Sequence, residues 1–431
     1  MRLAQVAFLL LALGRAGALA QDEKGFDKVD QKKVDAAIER GVQYLKSPAA
    51  VSHGAHRGID QSNELILYTL FKAGVPPTDP VFERYMLVVE GLPLKHTYSV
   101  ALQAMLLEEL DRVKYQPRIL QCAQFLVDNQ CSNGQWSYGE PTPAIKDTPP
   151  TPTTGGARSS VASGGGQAKD LRSTAPDPKA KPNVAKKIPV RQTRVLPGGG
   201  DNSNSQYAAL GLRACWDSGI QIPEPVLSKA KAWWVSSQHN PAEEAKKGNV
   251  PAPAPAGVAT GPGGGESIPL NAPPRGWCYQ DAYGVCKGGG AYAAMTAGAT
   301  GAVVIYDYML GKDWHKDATV QSGMAWFVKN WSVTQDIGPS EVEGGAPEAY
   351  LYYYLYAVER LGMLYDTGSI GEHPWYPEGA EFLLKIQKAD GSWEGTKPEK
   401  KPTWDTCFAI LFLKRATKRL DVATGGRAEQ K

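Results

Sequence analysis

Hydrophobic positions follow a helical period along almost the whole chain from Val34 onward. The first segment carries apolar residues at Val34, Ile38, Val42 and Leu45, the stripe of an amphipathic helix. The next segment, 63–73, is apolar nearly all round, which predicts a more deeply buried helix. This alternation recurs five more times, in the pairs 81–89 and 98–110, 118–128 and 205–216, 225–237 and 291–310, 318–330 and 348–364, and 375–387 and 404–415.

Six pairs of this kind predict an all-α protein with a natural way to close on itself. The uniformly apolar helices would form an inner ring, and the striped helices would surround them with their polar faces outward. We therefore expect a single α/α toroid (an α6/α6 barrel) of six helical hairpins. An open superhelix is the alternative, but six repeats, aromatic inner helices and no polar capping repeat favour closure.

Two stretches interrupt the alternation of striped and uniformly apolar helices. Residues 140–200 and 240–274 are rich in Pro and Gly and have few large apolar side chains. Such composition cannot offset the entropy of ordering by burial, so both are expected to be disordered surface insertions. Each falls between the outer and the inner helix of one pair, so both should emerge at the same end of the barrel. We interpret them as tolerated insertions rather than as a lid or a partner-binding element.

One sequence pattern recurs at the ends of the outer helices. It reads Gly/Ala-x-x-aromatic-aliphatic-x-x-x-Gln-x-x-x-Gly-x-Trp. A full copy consists of Gly379, Phe382, Leu383, Gln387, Gly391 and Trp393, and a second of Cys122, Phe125, Leu126, Gln130, Gly134 and Trp136. Partial copies occur at 40–45, at Ala230 with Trp233 and Gln238, and at Gly323 with Trp326 and Phe327.

This pattern resembles the Gln-Trp repeat of the terpenoid cyclase and protein prenyltransferase superfamily, which includes squalene–hopene cyclases, prenyltransferase β subunits and complement-type thioester domains. The resemblance implies an α/α toroid, and a single ring is similar in size to a prenyltransferase β subunit. The sequences that carry that superfamily's chemistry are missing from the chain: Asp-x-Asp-Asp, Asp-Asp-x-x-Asp and Cys-Gly-Glu-Gln. The resemblance therefore implies the fold and leaves the activity open.

The N-terminus has the features of an export signal. Met1-Arg2 precedes an apolar run from Ala4 to Leu13, and Ala18-Leu19-Ala20 offers a cleavage site. We predict a signal peptide at 1–20 and a toroid domain at 21–431, exported to the periplasm or secreted. No apolar run of ~20 residues follows, so no transmembrane segment is expected after cleavage. A formal net charge of +3 over 431 residues argues against a nucleic-acid partner.

The cysteines and one short motif bear on disulfides and metals. Cys278 and Cys286 flank a loop-like segment, and we predict that they form a disulfide. Asp405-Thr406-Cys407 resembles the Asp-x-Cys part of the prenyltransferase zinc site, but no His follows Cys407. We expect Asp405 to face a helix N-terminus and Cys407 to be a small buried residue, with no metal and no other cofactor.

The starts of the inner helices should gather around one mouth of the barrel, where free backbone N–H groups could meet a ligand. The run 201–206 has the most polar such start, and 350–356 has the most aromatic one. N-capping and core filling are the competing interpretations of these two runs. The ligand-binding candidates are Tyr98, Asp201, Asn204, Gln206, Thr296, Tyr350, Tyr352 and Trp404.

Carboxylates near the same mouth raise the possibility of catalysis. The acids Glu64, Asp201, Glu343, Glu348 and Asp405 could supply the pair of carboxylates, about 5–10 Å apart, that glycoside-cleaving enzymes require. Our first hypothesis is a toroid without standard catalytic motifs that binds a small or lipophilic ligand or a protein partner. The alternatives are an enzyme acting on an isoprenoid or other lipophilic substrate, favoured by a wide apolar cavity, and a carbohydrate-active enzyme, favoured by two facing carboxylates. A plugged barrel would favour the first hypothesis.

Overall fold

Alternating helices make up most of the protein. The computed structural model describes residues 29–51, 63–145, 184–239, 272–280, 290–338, 350–395 and 402–420. Its long helices, which we number in chain order, are α1 (Gln31–Lys46), α2 (Asn63–Lys72), α3 (Pro80–Gly91), α4 (Thr97–Asp111), α5 (Gln116–Asp128), α6 (Asn202–Asp217), α7 (Glu224–Ser237), α8 (Ala293–Met309), α9 (Ala318–Lys329), α10 (Leu351–Tyr365), α11 (Trp375–Ile386) and α12 (Pro402–Leu413). One-turn helices lie at Pro48–Val51 and Trp314–Lys316.

The predicted difference between striped and uniformly apolar helices is present. In α1 the buried residues recur every three to four positions, and the charged residues between them are solvent-exposed. In α8 every residue except Tyr308 is buried. The all-α class predicted from the pattern is therefore confirmed.

Contacts between the even-numbered helices follow a cyclic order. Helix α2 packs against α4, α4 against α6, α6 against α8, α8 against α10, and α10 against α12. Helix α12 in turn packs against α2, and the odd-numbered α11 packs against α1. Each even-numbered helix therefore contacts two other even-numbered helices.

Each copy of the Gln-Trp repeat makes three hydrogen bonds, one to a neighbouring hairpin and two within its own hairpin, as the last copy illustrates. Gln387 Nε2 donates to the carbonyl of Ala37 in α1, at 2.8 Å. Trp393 Nε1 donates to the carbonyl of Leu383, four residues before the glutamine, at 2.9 Å. The backbone N–H of Trp393 donates to Thr406 Oγ1 in α12, at 3.0 Å. The glutamine ties its helix to another odd-numbered helix, and the tryptophan ties it to its own even-numbered partner.

The first full copy makes the same three bonds three hairpins earlier, in the hairpin of α5 and α6. Gln130 Nε2 donates to the carbonyl of Val226 in α7, at 2.8 Å. Trp136 Nε1 donates to the carbonyl of Leu126 at 2.7 Å, and its backbone N–H donates to Ser205 Oγ in α6 at 2.9 Å. Identical bonding at 130–136 and 387–393 shows that the sequence repeat is a structural repeat.

A third complete copy is divided by an insertion. Gln238 Nε2 donates to the carbonyl of Thr319 in α9, at 2.9 Å. The matching tryptophan is Trp277, whose Nε1 donates to the carbonyl of Trp234 at 2.9 Å and whose backbone N–H donates to Thr296 Oγ1 at 3.1 Å. The sequence pattern marked only Ala230, Trp233 and Gln238, because the span between Gln238 and Trp277 breaks the spacing.

At the end of α9 a tryptophan replaces the glutamine. Trp331 stands eight residues after Gly323, as Gln387 does after Gly379. Its Nε1 donates to Glu378 Oε2 in α11, at 2.6 Å. The connection to the next odd-numbered helix is thus kept with a different side chain.

The turn glycine of the repeat is required by both conformation and space. Gly134 and Gly391 have φ of +96° and +88°, values that side chains other than glycine rarely adopt. A Cβ on Gly134 would lie 2.5 Å from the carbonyl oxygen of Lys229, and one on Gly391 would lie 2.4 Å from that of Arg40. Each turn therefore packs directly on the backbone of the next odd-numbered helix.

Part of the predicted insertion 140–200 packs against helix α5. Residues Ile188–Pro189 form a two-residue parallel pairing with Ile220–Gln221. Thr193 donates through N and Oγ1 to Asp128, at 2.7 and 2.9 Å, and Gln192 donates to the carbonyl of Val127 at 2.9 Å. Residues 184–200 thus differ from the expected surface excursion, because these hydrogen bonds tie the segment to buried groups at the end of α5. Residues 146–183 and 240–271 lie outside the described residues.

Candidate functional site

The N-terminal turns of the even-numbered helices form a face of the molecule, which we call the N-terminal face, and Asp201 lies at its most polar point. The Asp201 carboxylate accepts hydrogen bonds from Ser203 Oγ at 2.6 Å, from Asn204 N at 2.7 Å and from Asn204 Nδ2 at 2.8 Å. Burial raises the pKa of Asp201, and these hydrogen bonds oppose the rise. Asp201 therefore acts as the N-cap of α6 and Asn204 donates to it, the simpler of the two interpretations of the 201–206 run.

Tyrosines surround this cap. Burial raises the pKa of Tyr98 far above its usual value, with further contributions from Tyr353 and Asp201. Burial also raises the pKa of Tyr279, followed by the effects of Asp201 and Tyr138. Backbone hydrogen bonds hold Tyr279 beside Asn202 and Tyr138 beside Thr97, at 3.0 and 2.8 Å, and we call Tyr98, Tyr138 and Tyr279 the aromatic rim. Tyr138 is 48% exposed, so the rim reaches the surface.

An amide network fixes the segment 277–280 on α6. Gln135 Nε2 donates to Asn202 Oδ1 at 3.1 Å and to the carbonyl of Gln280 at 3.0 Å. Asn202 Oδ1 also accepts from Trp233 Nε1 at 2.8 Å, and Asn202 Nδ2 donates to the carbonyl of Cys278 at 2.9 Å. Because these amides are paired with one another, the rim is held by α6 and α7 rather than by a loop alone.

Cys278 takes part in a disulfide, and the other four described cysteines are free and buried. The predicted partner, Cys286, lies outside the described residues.

Sequence reasoning did not single out Tyr138, Tyr279 or Gln280. The sequence feature that could have revealed these residues is Trp277, because the residues that follow the tryptophan of a repeat lie at the N-terminal face.

The centre of the helix assembly is filled by a cluster that we call the central cluster: Tyr207, Tyr353, Tyr356 and Arg360. The Arg360 guanidinium carbon lies 4.4 Å from the ring centroid of Tyr356, 5.3 Å from that of Tyr207 and 5.9 Å from that of Tyr353. Arg360 is 2% exposed, and its Nη2 donates to Gln206 Oε1 at 2.7 Å. A cation held against three ring faces is favourable in a desolvated site.

Two of the predicted ligand-binding residues, Gln206 and Thr296, are therefore buried beneath the N-terminal face. Gln206 faces inward to Arg360, and Thr296 is fully buried as the anchor of Trp277 N. Tyr98 and Tyr207 connect the face to the centre, with ring centroids 4.4 Å apart. Aromatic side chains thus run without interruption from the rim to the central cluster.

The remaining predicted residues lie at the starts of α10 and α12. Tyr350 is 41% exposed at the N-cap position of α10, and the Tyr352 hydroxyl donates to the carbonyl of Glu394 at 3.4 Å. Asp405 Oδ2 accepts from the backbone N–H of Gly395 at 2.8 Å, and Trp404 is half-buried beside it. Asp405 therefore holds the turn after Trp393, the role of a structural acid.

Two carboxylates do meet in the described residues, Asp307 and Asp317, which share the ammonium group of Lys231, but neither is one of the predicted catalytic acids. Burial raises the pKa of Glu64, opposed by hydrogen bonds from its own backbone and Ser99 and by the charge of Arg118. No second carboxylate is among the principal causes for Glu64 or Asp201. Glu343 and Glu348 lie outside the described residues.

Burial raises the pKa of the Cys407 thiol to about 12, which disfavours the thiolate that binds zinc. Within the described residues no three His, Cys, Asp or Glu side chains could together hold a metal ion.

The far end of the assembly is covered by residues 414–420. Arg213 Nη1 and Nη2 donate to the carbonyls of Lys418 and Arg419, at 2.8 and 3.0 Å. Glu359 accepts from Thr417 N at 2.8 Å and from Thr417 Oγ1 at 2.7 Å. Burial raises the pKa of Glu359 to about 7. The chain thus closes the end opposite the N-terminal face with its own C-terminal segment.

Comparison with known proteins provides no family assignment. No protein-family model matches the chain, and no curated protein matches it either. In the described part of the chain, none of the helices combines the length and the apolar character needed to cross a bilayer.

Proposed function

We propose that the even-numbered helices form the inner ring of a closed α/α toroid. The cyclic order of their contacts supports this, as does the hydrogen bond from Gln387, at the end of α11, to Ala37 in α1. Gln130 and Gln238 make the equivalent bond to the next odd-numbered helix in the chain. The last hairpin is therefore bonded to the first in the way that earlier hairpins are bonded to the next one, which favours a closed ring over an open superhelix.

The toroid is proposed to be an exported, non-catalytic scaffold that binds a protein partner at its N-terminal face. The observation that carries this is the filled centre. Arg360 and its three tyrosines occupy the place where a cyclase-like fold would hold a substrate, and the cavity beside them has a volume of about 10 Å³. Ligand pockets for small molecules are usually about 300–1,000 Å³.

The N-terminal face has features of a protein-binding surface. Tyr138 and Tyr350 are 48% and 41% exposed, and Tyr279 lies half-buried beside Asp201. Exposed tyrosines on a rigid support are typical of the residues that dominate binding energy at protein interfaces. The Asp201 cap and the Asn202 network supply that support, so little ordering is needed when a partner binds.

Export is proposed from the N-terminal signal and agrees with the disulfide at Cys278. Disulfides persist mainly in oxidising compartments outside the cytosol. The periplasm or the extracellular space satisfies both observations.

The proposal is tested by site-specific photocrosslinking in the cells that export the protein. We expect a photoreactive phenylalanine at Tyr138 or Tyr350 to give the same discrete adduct. The same residue at Leu87, which is 71% exposed on α3, should not give that adduct. Adducts that do not differ between the face and Leu87 would contradict binding at the N-terminal face.

A second measurement, the binding of isoprenoid compounds, distinguishes a non-catalytic scaffold from an isoprenoid enzyme. The purified mature protein should show no saturable binding of farnesyl diphosphate, geranylgeranyl diphosphate or squalene by equilibrium dialysis. One-to-one binding of any of these, lost on replacing Tyr353 with Trp, would overturn the non-catalytic proposal and support an isoprenoid site.

A further inference from the structure

A small internal cavity lies between α6, α8 and α10, on the side of Arg360 that faces α8. Its volume of about 10 Å³ is close to the space that one water molecule needs. Gly298, Gly301 and Ala302 of α8 and Leu364 of α10 form much of its wall. The cavity therefore exists because α8 carries small residues opposite two long polar side chains, Gln206 and Arg360.

The polar groups that line this cavity are hydrogen-bond donors. Arg360 Nη1 has no hydrogen-bond partner among the described residues, although the side chain is buried. Gln206 Nε2 contacts only the thioether sulfur of Met295, at 4.0 Å, which is a weak acceptor. Among the side chains that line the cavity, the neutral acceptor is Gln206 Oε1, which already receives Arg360 Nη2; the Tyr207 hydroxyl is near the guanidinium but does not line the cavity.

Arg360 also lacks a direct ion pair. No carboxylate of the described residues lies within ion-pair distance of Arg360. The adjacent carboxylate, Glu359, attracts the guanidinium only at longer range and receives both of its hydrogen bonds from Thr417. Burying a guanidinium without a directly paired anion is costly, even when ring faces offset part of the cost.

We propose that this cavity binds one small monovalent anion of chloride size, held by Arg360 Nη1 and Gln206 Nε2. An anion fits better than a water molecule because it only accepts hydrogen bonds. Water would also present two hydrogens to a wall whose other side chains are apolar. The site does not depend on the proposed partner-binding function.

The direct test is a crystal of the full mature protein grown in sodium bromide. We expect an anomalous peak in the cavity, in contact with Arg360 Nη1 and Gln206 Nε2. A peak without anomalous signal, which is water, or an empty cavity would overturn the proposal.

Thermal unfolding in sodium chloride and in sodium gluconate of matched ionic strength gives the solution test. Gluconate is too large to enter, so chloride alone should raise Tm, by about 2 °C at tenfold its dissociation constant. Equal Tm curves in the two salts would overturn the proposal.

Three variants separate the site from general salt effects. Arg360→Met removes the donor and the charge and should abolish the chloride increment. Gly301→Ala places a Cβ 3.3 Å from Leu364 Cδ1, so it occupies cavity space without touching a donor. It should raise the Tm in gluconate through helix propensity and yet lose the chloride increment. Lys316→Met removes a cation whose side chain is 84% exposed and should keep the increment. If Arg360→Met does not fold, Gly301→Ala decides.

Discussion

The Gln387→Leu substitution tests how the last hairpin is joined to the first. Gln387 Nε2 donates to the carbonyls of Ala37 and Gly391, at 2.8 and 2.9 Å, and its Oε1 accepts from Arg40. Each such bond contributes about 1 kcal/mol net, and leaving the carbonyls unpaired adds to the loss. We expect a destabilisation of about 2–3 kcal/mol, equivalent to a Tm lower by about 3–5 °C.

The assay combines urea unfolding with hydrogen exchange resolved along the chain. Exchange should accelerate in α1, because that helix loses its bond to the end of α11. The matched control is Gln43→Leu, which removes only a surface hydrogen bond to Glu39 within α1. A change in unfolding free energy below about 0.5 kcal/mol for Gln387→Leu, with unchanged exchange in α1, would refute the reasoning.

Three further predictions follow from the hidden repeat, one buried acid and the cysteines. Trp277→Ala should cost about 3–5 kcal/mol in chemical unfolding, as much as Trp136→Ala, because both indoles are fully buried; a cost near zero would contradict the third repeat. Burial raises the pKa of Asp336 to about 8, so its contribution to stability is lost as pH rises from about 4 to 8, by up to about 1.4 kcal/mol per pH unit. Asp336→Asn, which can still accept from the N-terminus of α8, should flatten that profile in urea unfolding, and an unchanged slope would count against it. Peptide mapping without reduction should find Cys278 joined to Cys286, and two free thiols would disprove the pairing.

The helices themselves could be predicted from the sequence. Striped and uniformly apolar segments alternate without ambiguity, so the boundaries of pairs such as 375–387 and 404–415 lie within a few residues of α11 and α12. Two copies of the repeat keep Gln and Trp six residues apart, which made them visible. Trp277 was missed because its glutamine is Gln238, and a pattern with a fixed Gln-to-Trp spacing cannot match two residues separated by an insertion.

The interior was harder to predict because helical periodicity tells which face is buried but not what it meets. Gln206 was expected at the mouth, since it lies only one turn inside α6, but its amide points to Arg360. Glu359-Arg360 in an otherwise apolar helix was the available signal for a polar centre. Residues 192–193 were expected in a disordered stretch because composition does not show that Asp128 and Val127 offer them buried hydrogen bonds.

The most direct test of the account is the distance between α1 and α11 in solution, because ring closure underlies both the filled centre and the single N-terminal face. Spin labels on the exposed positions Glu39 and Lys385 can be placed through Glu39→Cys and Lys385→Cys, since the free native cysteines in the described residues are buried. Double electron–electron resonance should give one narrow, short distance between the two spin labels, consistent with helix axes packed about 8–10 Å apart. A broad distribution at long distance would show that the first and last hairpins do not meet and would contradict the closed toroid.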